Sequence, residues 1–151
     1  MNRDREAREM NATTIRFAAV VPQFTVPDLV RTVKYYRDVL GFQVAGCWDG
    51  ARVSPAPDAR SVFAIVRRDE AEIFFNRAEQ ANGRTGRAEG AYDAYVRVVG
   101  IDELAAELLA RGADILDGPE DRSYGQRELV VKDCNGLVVA FGEVRPQLIR
   151  T

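Results

Sequence analysis

The side chains able to do chemistry in this chain are acids, aromatics and arginines on short β-prone runs, and no imidazole stands among them, because the sequence has no histidine. Without a base that titrates near neutrality or a neutral nitrogen ligand, several devices are excluded: the Ser-His-Asp and Cys-His nucleophiles, the zincin helix and the two-His-one-carboxylate iron site. The two cysteines, Cys47 and Cys134, are too few and too dispersed for a disulfide framework or a Cys-x-x-Cys knuckle, and they are read as free thiols. In the run AEIFFN, period-two alternation puts Glu72, Phe74 and Asn76 on one face of a strand. In DAYVR it puts Asp93, Tyr95 and Arg97 on one face of another. The chemistry left open is carboxylate acid–base work, hydrogen bonding and stacking on aromatic rings.

The elements that must position these residues are well punctuated. Residues 15–26 (IRFAAVVPQFTV) are rich in β-branched and aromatic side chains and predict a first strand, with Pro22 marking an edge position or a bulge. Asp28 is a good N-cap, and Leu29, Val33, Tyr36 and Leu40 recur on one helical face before Gly41 stops the helix. Strand-like runs follow at 42–48, 60–66 and 71–76. A polar, glycine-rich stretch at 81–90 reads as a linker, and then the pattern repeats. The second pass has a strand at 92–98 and a helix opened by Asp102, with Leu104, Leu108 and Leu109 facing inward and Gly112 as its stop. Strands at 113–116, 128–131 and 137–144 complete it. The expected fold is α+β: two tandem βαβββ modules forming a concave mixed sheet with helices outside, because neither module alone can cover both faces of its sheet. The expected boundaries are a polar tail at 1–14, modules at 15–80 and 91–144 around the 81–90 linker, and a C-terminal tail at 145–151.

Composition narrows the partners. With 151 residues, 46% apolar and 29% charged, the chain is long enough to bury a core without staples. The balance of 21 basic against 23 acidic side chains, net −2, argues against a nucleic-acid-binding surface. No apolar stretch is long enough to span a bilayer, and the charged N-terminus has no signal-peptide h-region, so a cytoplasmic protein with no membrane association is expected.

Two stretches carry a family resemblance. VPQFTVPDLVRTVKYYRDVLGF is similar to the opening of vicinal-oxygen-chelate proteins, the glyoxalase, bleomycin-resistance and ring-cleaving dioxygenase superfamily. YGQRELVVKDCNGLVVAFGEV resembles that family's closing strand pair, with its aromatic-Gly-x-Arg, Asp-Pro-Asp-Gly and Phe-Gly-Glu signatures. Cys134 departs from the pattern at the proline of the turn, where a less rigid turn is expected. The resemblance covers nearly everything from 15 to 144 and implies the doubled βαβββ architecture. Metal-dependent members hold a divalent ion with one side chain from each of four strands. The corresponding positions here are Val21, Glu72, Asp93 and Ala140, so the resemblance implies a degenerate site with two carboxylates of four ligands and no metal. A bulge at Pro22 would bring Gln23 to the place of Val21, and the fourth position would still be empty.

If these positions correspond, the cavity face carries Glu72, Phe74, Asp93, Tyr95 and Arg97. Gln23 lies nearby, Ala140 and Val138 are on the same side of the last strand, and Trp48 and Tyr124 stand at the mouth. Each residue has a structural alternative. Phe74 and Tyr95 also read as core aromatics, Glu72 and Arg97 as a cross-strand ion pair, Asp93 as an exposed acid at a strand start, and Arg127 as an anchor. Tyr36 lies on the apolar stripe and is read as packing.

The leading expectation is a metal-free, cofactor-free protein of the bleomycin-resistance type. It would sequester a small aromatic ligand, with a cationic one suited by the acids, in a homodimer. The alternative is an atypical glyoxalase- or dioxygenase-like enzyme, in which Glu72 and Asp93 hold a weak metal or Glu72 is the catalytic base. A third reading is a regulatory module with a vestigial cavity.

Overall fold

The punctuation read from the sequence sets the first helix. In the computed structural model, which describes residues 14–79 and 91–146, helix α1 (Leu29–Asp38) is capped by the Asp28 carboxylate, which accepts the Arg31 N–H at 2.9 Å. Leu29, Val33 and Tyr36 are buried along its inner face, and Gly41 turns the chain away with φ at +75°. The tail and linker expectations at 1–13, 81–90 and 147–151 lie outside the described residues.

The first sheet contains β1 (Gln23–Val26), β2 (Gln43–Trp48), β3 (Val53–Ser54), β4 (Phe63–Arg68) and β5 (Ala71–Arg77), in the spatial order β1-β5-β4-β2-β3. Strand β1 runs parallel to β5, Gln23 opposite Phe74, and the other pairs are antiparallel. Two expectations are corrected here. Strand pairing starts at Gln23 rather than at residue 15, since residues 14–22 have strand-forming side chains but no strand assignment. The two-residue β3 was not read at all. Pro22 does sit at an edge, as expected, but the β1–β5 register is unbroken, so no bulge moves Gln23 into the place of Val21.

The second sheet repeats the arrangement with β6 (Ala94–Arg97), β7 (Asp114–Asp121), β8 (Gln126–Lys132) and β9 (Val138–Val144), in the order β6-β9-β8-β7 and with β6 parallel to β9. Helix α2 (Ile101–Ala110) begins one residue before the expected Asp102. Its N-cap is Gly100, which has no side chain, and the cap comes from Glu143 on β9. That carboxylate accepts the N–H groups of Gly100 (3.0 Å) and Ile101 (3.3 Å).

A single apolar core joins the two modules, with Tyr36, Phe75 and Ile73 from the first and Leu108, Leu129 and Phe141 from the second all buried. Polar ties cross the same boundary. The Tyr36 hydroxyl donates to Asp133 at 2.9 Å, Arg31 to the Cys134 carbonyl at 2.9 Å, Asn135 to Thr32 at 2.9 Å, and Arg68 to Glu107. The closing turn is held by Asp133, which accepts the N–H groups of Asn135 and Leu137, so side-chain bonding ties it where the family's proline is replaced by Cys134. Both thiols are free.

Candidate functional site

On β5 and β6 alternation leaves one side on the core and the other less covered, whereas β8 and β9 are largely buried on both sides. On β5, Ile73 and Phe75 are buried in the core, while Glu72, Phe74 and Asn76 are only partly covered on the other side. On β6, Ala94 is buried and Tyr95 and Arg97 are exposed. The open faces are thus the ones expected to carry the site.

A cleft of about 630 Å³ runs between residues 19–22, the start of β5 and β6. It brings together Val21, Glu72, Asp93, Tyr95 and Arg97. Gln23, Trp48, Phe74 and Tyr124 do not line it. Trp48 is exposed at the end of β2, opposite Phe63. Phe74 stacks edge-on against Phe63 at 5.4 Å, and Gln23 is exposed on β1 beside Phe74. A second cleft of about 580 Å³ lies at the module boundary under the Arg68–Glu107 pair. The Arg68 guanidinium holds the Glu107 carboxyl below the usual carboxylate range.

Both candidate carboxylates have structural partners. Glu72 is ion-paired with Arg67 across the β4–β5 hairpin, the Nε bond being 2.7 Å, so the partner is Arg67 and not the Arg97 weighed from sequence. Asp93 accepts the Val138 N–H at 2.8 Å while its own N–H donates to the Val138 carbonyl, which clamps the start of β6 to β9. Arg127 is an anchor, bonded to Asp102 and Asp121.

The donor set can be tested against the divalent ion of the metal-dependent family members. Val21 and Ala140 have no lone pair to give, and Ala140 is fully buried opposite Tyr95 and Val130. Glu72 and Asp93 are engaged as described. Among the described residues no group of three or more His, Cys, Asp or Glu side chains is arranged to hold a metal ion. These residues do not fit such an ion.

The sequence reading missed the most elaborate polar cluster in the molecule. Glu128, on the open face of β8, is 1% exposed. Its Oε1 accepts the Tyr95 hydroxyl at 3.0 Å, and its Oε2 accepts Tyr124 at 2.7 Å, Arg122 Nε at 3.2 Å and Tyr92 at 3.3 Å. Burial, reinforced by the bond to Glu128, pushes the Tyr95 phenol up to about 12 and raises Tyr92 and Tyr124 as well. Hydrogen bonding to Asp117 raises Arg122. Gly142 makes the packing of Tyr95 against β9 achievable, since a Cβ there would collide with the Tyr95 hydroxyl. Glu128 was legible only as a strand residue, because Tyr92 and Tyr95 reach it from a distant segment through the β6–β9–β8 register.

The described residues form a two-module α+β fold with a cleft between residues 19–22, the start of β5 and β6. The chain belongs to the Glyoxalase/Bleomycin resistance protein/Dioxygenase superfamily, whose profile matches residues 16–141. Solved structures share the fold. TioX from Micromonospora sp. ML1 matches with a TM-score of 0.64 at 19% identity, over 85% of this chain and 99% of that one. The bleomycin-binding protein from bleomycin-producing Streptomyces verticillus, complexed with copper(II)-bleomycin, gives 0.60 at 24% identity, over 85% and 97%. TnmS3, an antibiotic binding protein from Streptomyces sp. CB03234, gives 0.58 at 19% identity, over 86% and 99%. No curated protein sequence matches the chain. Among the described residues no helix is long and apolar enough to cross a membrane.

Proposed function

We propose that this protein binds a small aromatic molecule without metal and without transforming it, on the open faces of its two sheets. The observation that carries this reading is the pairing of aromatic surface with occupied acids. Trp48, Phe63 and Phe74 lie on one open face and Tyr95 and Tyr124 on the other, while Glu72 and Asp93 are tied to Arg67 and to the Val138 backbone. Stacking surface suits a flat ligand, and a carboxylate held by an arginine or a backbone amide is a poor general base. The solved neighbours that bind bleomycin or another antibiotic are consistent with this use of the fold.

Trp48, Phe63 and Phe74 do not line the cleft that Tyr95 lines, and the reading favours a homodimer in which a second copy brings the two aromatic faces together. Among the described residues β1 and β6 each have one hydrogen-bonded strand neighbour.

The test is a thermal-shift screen of planar aromatic compounds, neutral and cationic, with Trp48 fluorescence as the second readout. A true ligand at 100 times its Kd stabilises by about 2.7 kcal/mol, with no product formed and no effect of added chelator. Binding that disappears with chelator, or turnover abolished by Glu72→Gln, would replace this reading with the enzymatic one. A monomeric mass by light scattering in the presence of ligand would remove the shared groove.

A further inference from the structure

We propose that the Glu128 cluster on the second sheet is a binding site for an organic cation, an ammonium or guanidinium group held against the tyrosine rings that surround the buried carboxylate. The proposal builds on the ligand-binding reading and adds where the charged end of the ligand is held. A buried carboxylate is costly, and Glu128 lies on the sheet face that does not pack against the helices, so the core does not require it. Three phenols from two segments, Tyr92 and Tyr95 on one and Tyr124 on the other, converge on it, with the Tyr92 and Tyr95 rings 6.2 Å apart.

Each phenol that donates to a carboxylate becomes more electron-rich, which strengthens the attraction of its ring for a cation. The phenols stay protonated at neutral pH, since all three are raised. Two of the rings are accessible, Tyr95 at 40% and Tyr124 at 59% exposure, and the rim adds the half-exposed Asp117 and the exposed Glu120. Arg122 shows that a cation is stable there, yet it is shared by Asp117, Glu120 and Glu128. Carboxylates outnumber guanidinium groups even when Arg97, which reaches Gln126, is included. A neutral ligand would gain the ring contact but not the field; an organic cation gains both.

The probe is choline, compared with neohexanol, its neutral carbon isostere, by titration of the tyrosine ring resonances in NMR. The expected result is that choline perturbs Tyr95 and Tyr124 and binds roughly tenfold tighter than neohexanol. Tyr124→Leu, its folding checked by circular dichroism, and Glu128→Gln should each weaken choline about fivefold or more. Equal affinity for neohexanol, an unchanged affinity in folded Tyr124→Leu, or no tyrosine perturbation overturns the proposal. Choline failing while planar aromatics still bind removes the cation site and leaves the proposed function standing. Choline bound at the tyrosines while every planar aromatic fails does the reverse.

Discussion

Tyr36 and Asp133 show how single residues hold the modules together. The hydroxyl is fully buried and donates to a carboxylate that is 5% exposed, so Tyr36→Phe removes one of three donors from a buried acceptor. A loss of about 1–3 kcal/mol in urea unfolding is expected, with the ring packing against Phe42 and Phe75 retained. Burial raises the Asp133 carboxyl against the opposing pull of its donors. A raised folded value means that the proton is bound more tightly by the folded chain. The associated stability is therefore fully present below about pH 3.9, the unfolded value, and is lost as pH rises through the folded one. Subtracting the urea midpoints of Asp133→Asn from those of the parent across this range should show the parent's advantage falling as pH rises; a rising difference would reverse the assignment. At Gly142, an added methyl collides with the Tyr95 hydroxyl, so Gly142→Ala should cost about 1–3 kcal/mol and free the Tyr95 ring, visible as a shifted ring resonance.

Among the elements, α2 depends on a residue outside itself. Gly100 cannot cap by side chain, and Glu143 supplies the acceptor from β9, so Glu143→Ala should speed amide exchange at Gly100 and Ile101 well before it affects the helix centre. The backbone N–H bonds lower the Glu143 carboxyl, the opposite direction from Asp133. Its contribution is present above about pH 4.3, the unfolded value, and fades as pH falls through the folded one, so acid should reproduce the exchange pattern of the variant. The helices and their stops were legible because capping and apolar periodicity are local signals, as at Asp28, Gly41 and Gly112, but Leu109, expected to face inward, is exposed, and Ile101 and Ala105 are buried beside Leu108 instead. Strand faces were legible for the same reason, and alternation placed Glu72 and Tyr95 correctly on open faces. The start of β1 was not, because β-propensity at residues 15–21 counts only where a neighbouring strand supplies hydrogen bonds. The Glu143 cap and the approach of Tyr92 and Tyr95 to Glu128 were hidden because register between distant strands brings them together, whereas Arg122 and Tyr124 are local to Glu128.

For the molecule as a whole, the shared core and the ties across the boundary predict one cooperative transition. The chain has a single tryptophan, Trp48, on the first sheet, so its fluorescence follows that module while far-UV circular dichroism follows both. The two urea curves should superimpose, and an earlier tryptophan midpoint would mean that the modules unfold separately. The crowding around Ala140 bears on how this chain could acquire new chemistry. Installing a carboxylate there would place it in a fully buried position opposite Tyr95, on the same face as Glu128, before any ion were present to neutralise it. Val21 would still lack a donor. A carboxylate added at Ala140 alone should therefore cost stability, because a buried charge on the face that already holds the buried Glu128 is expensive unless it gains a partner.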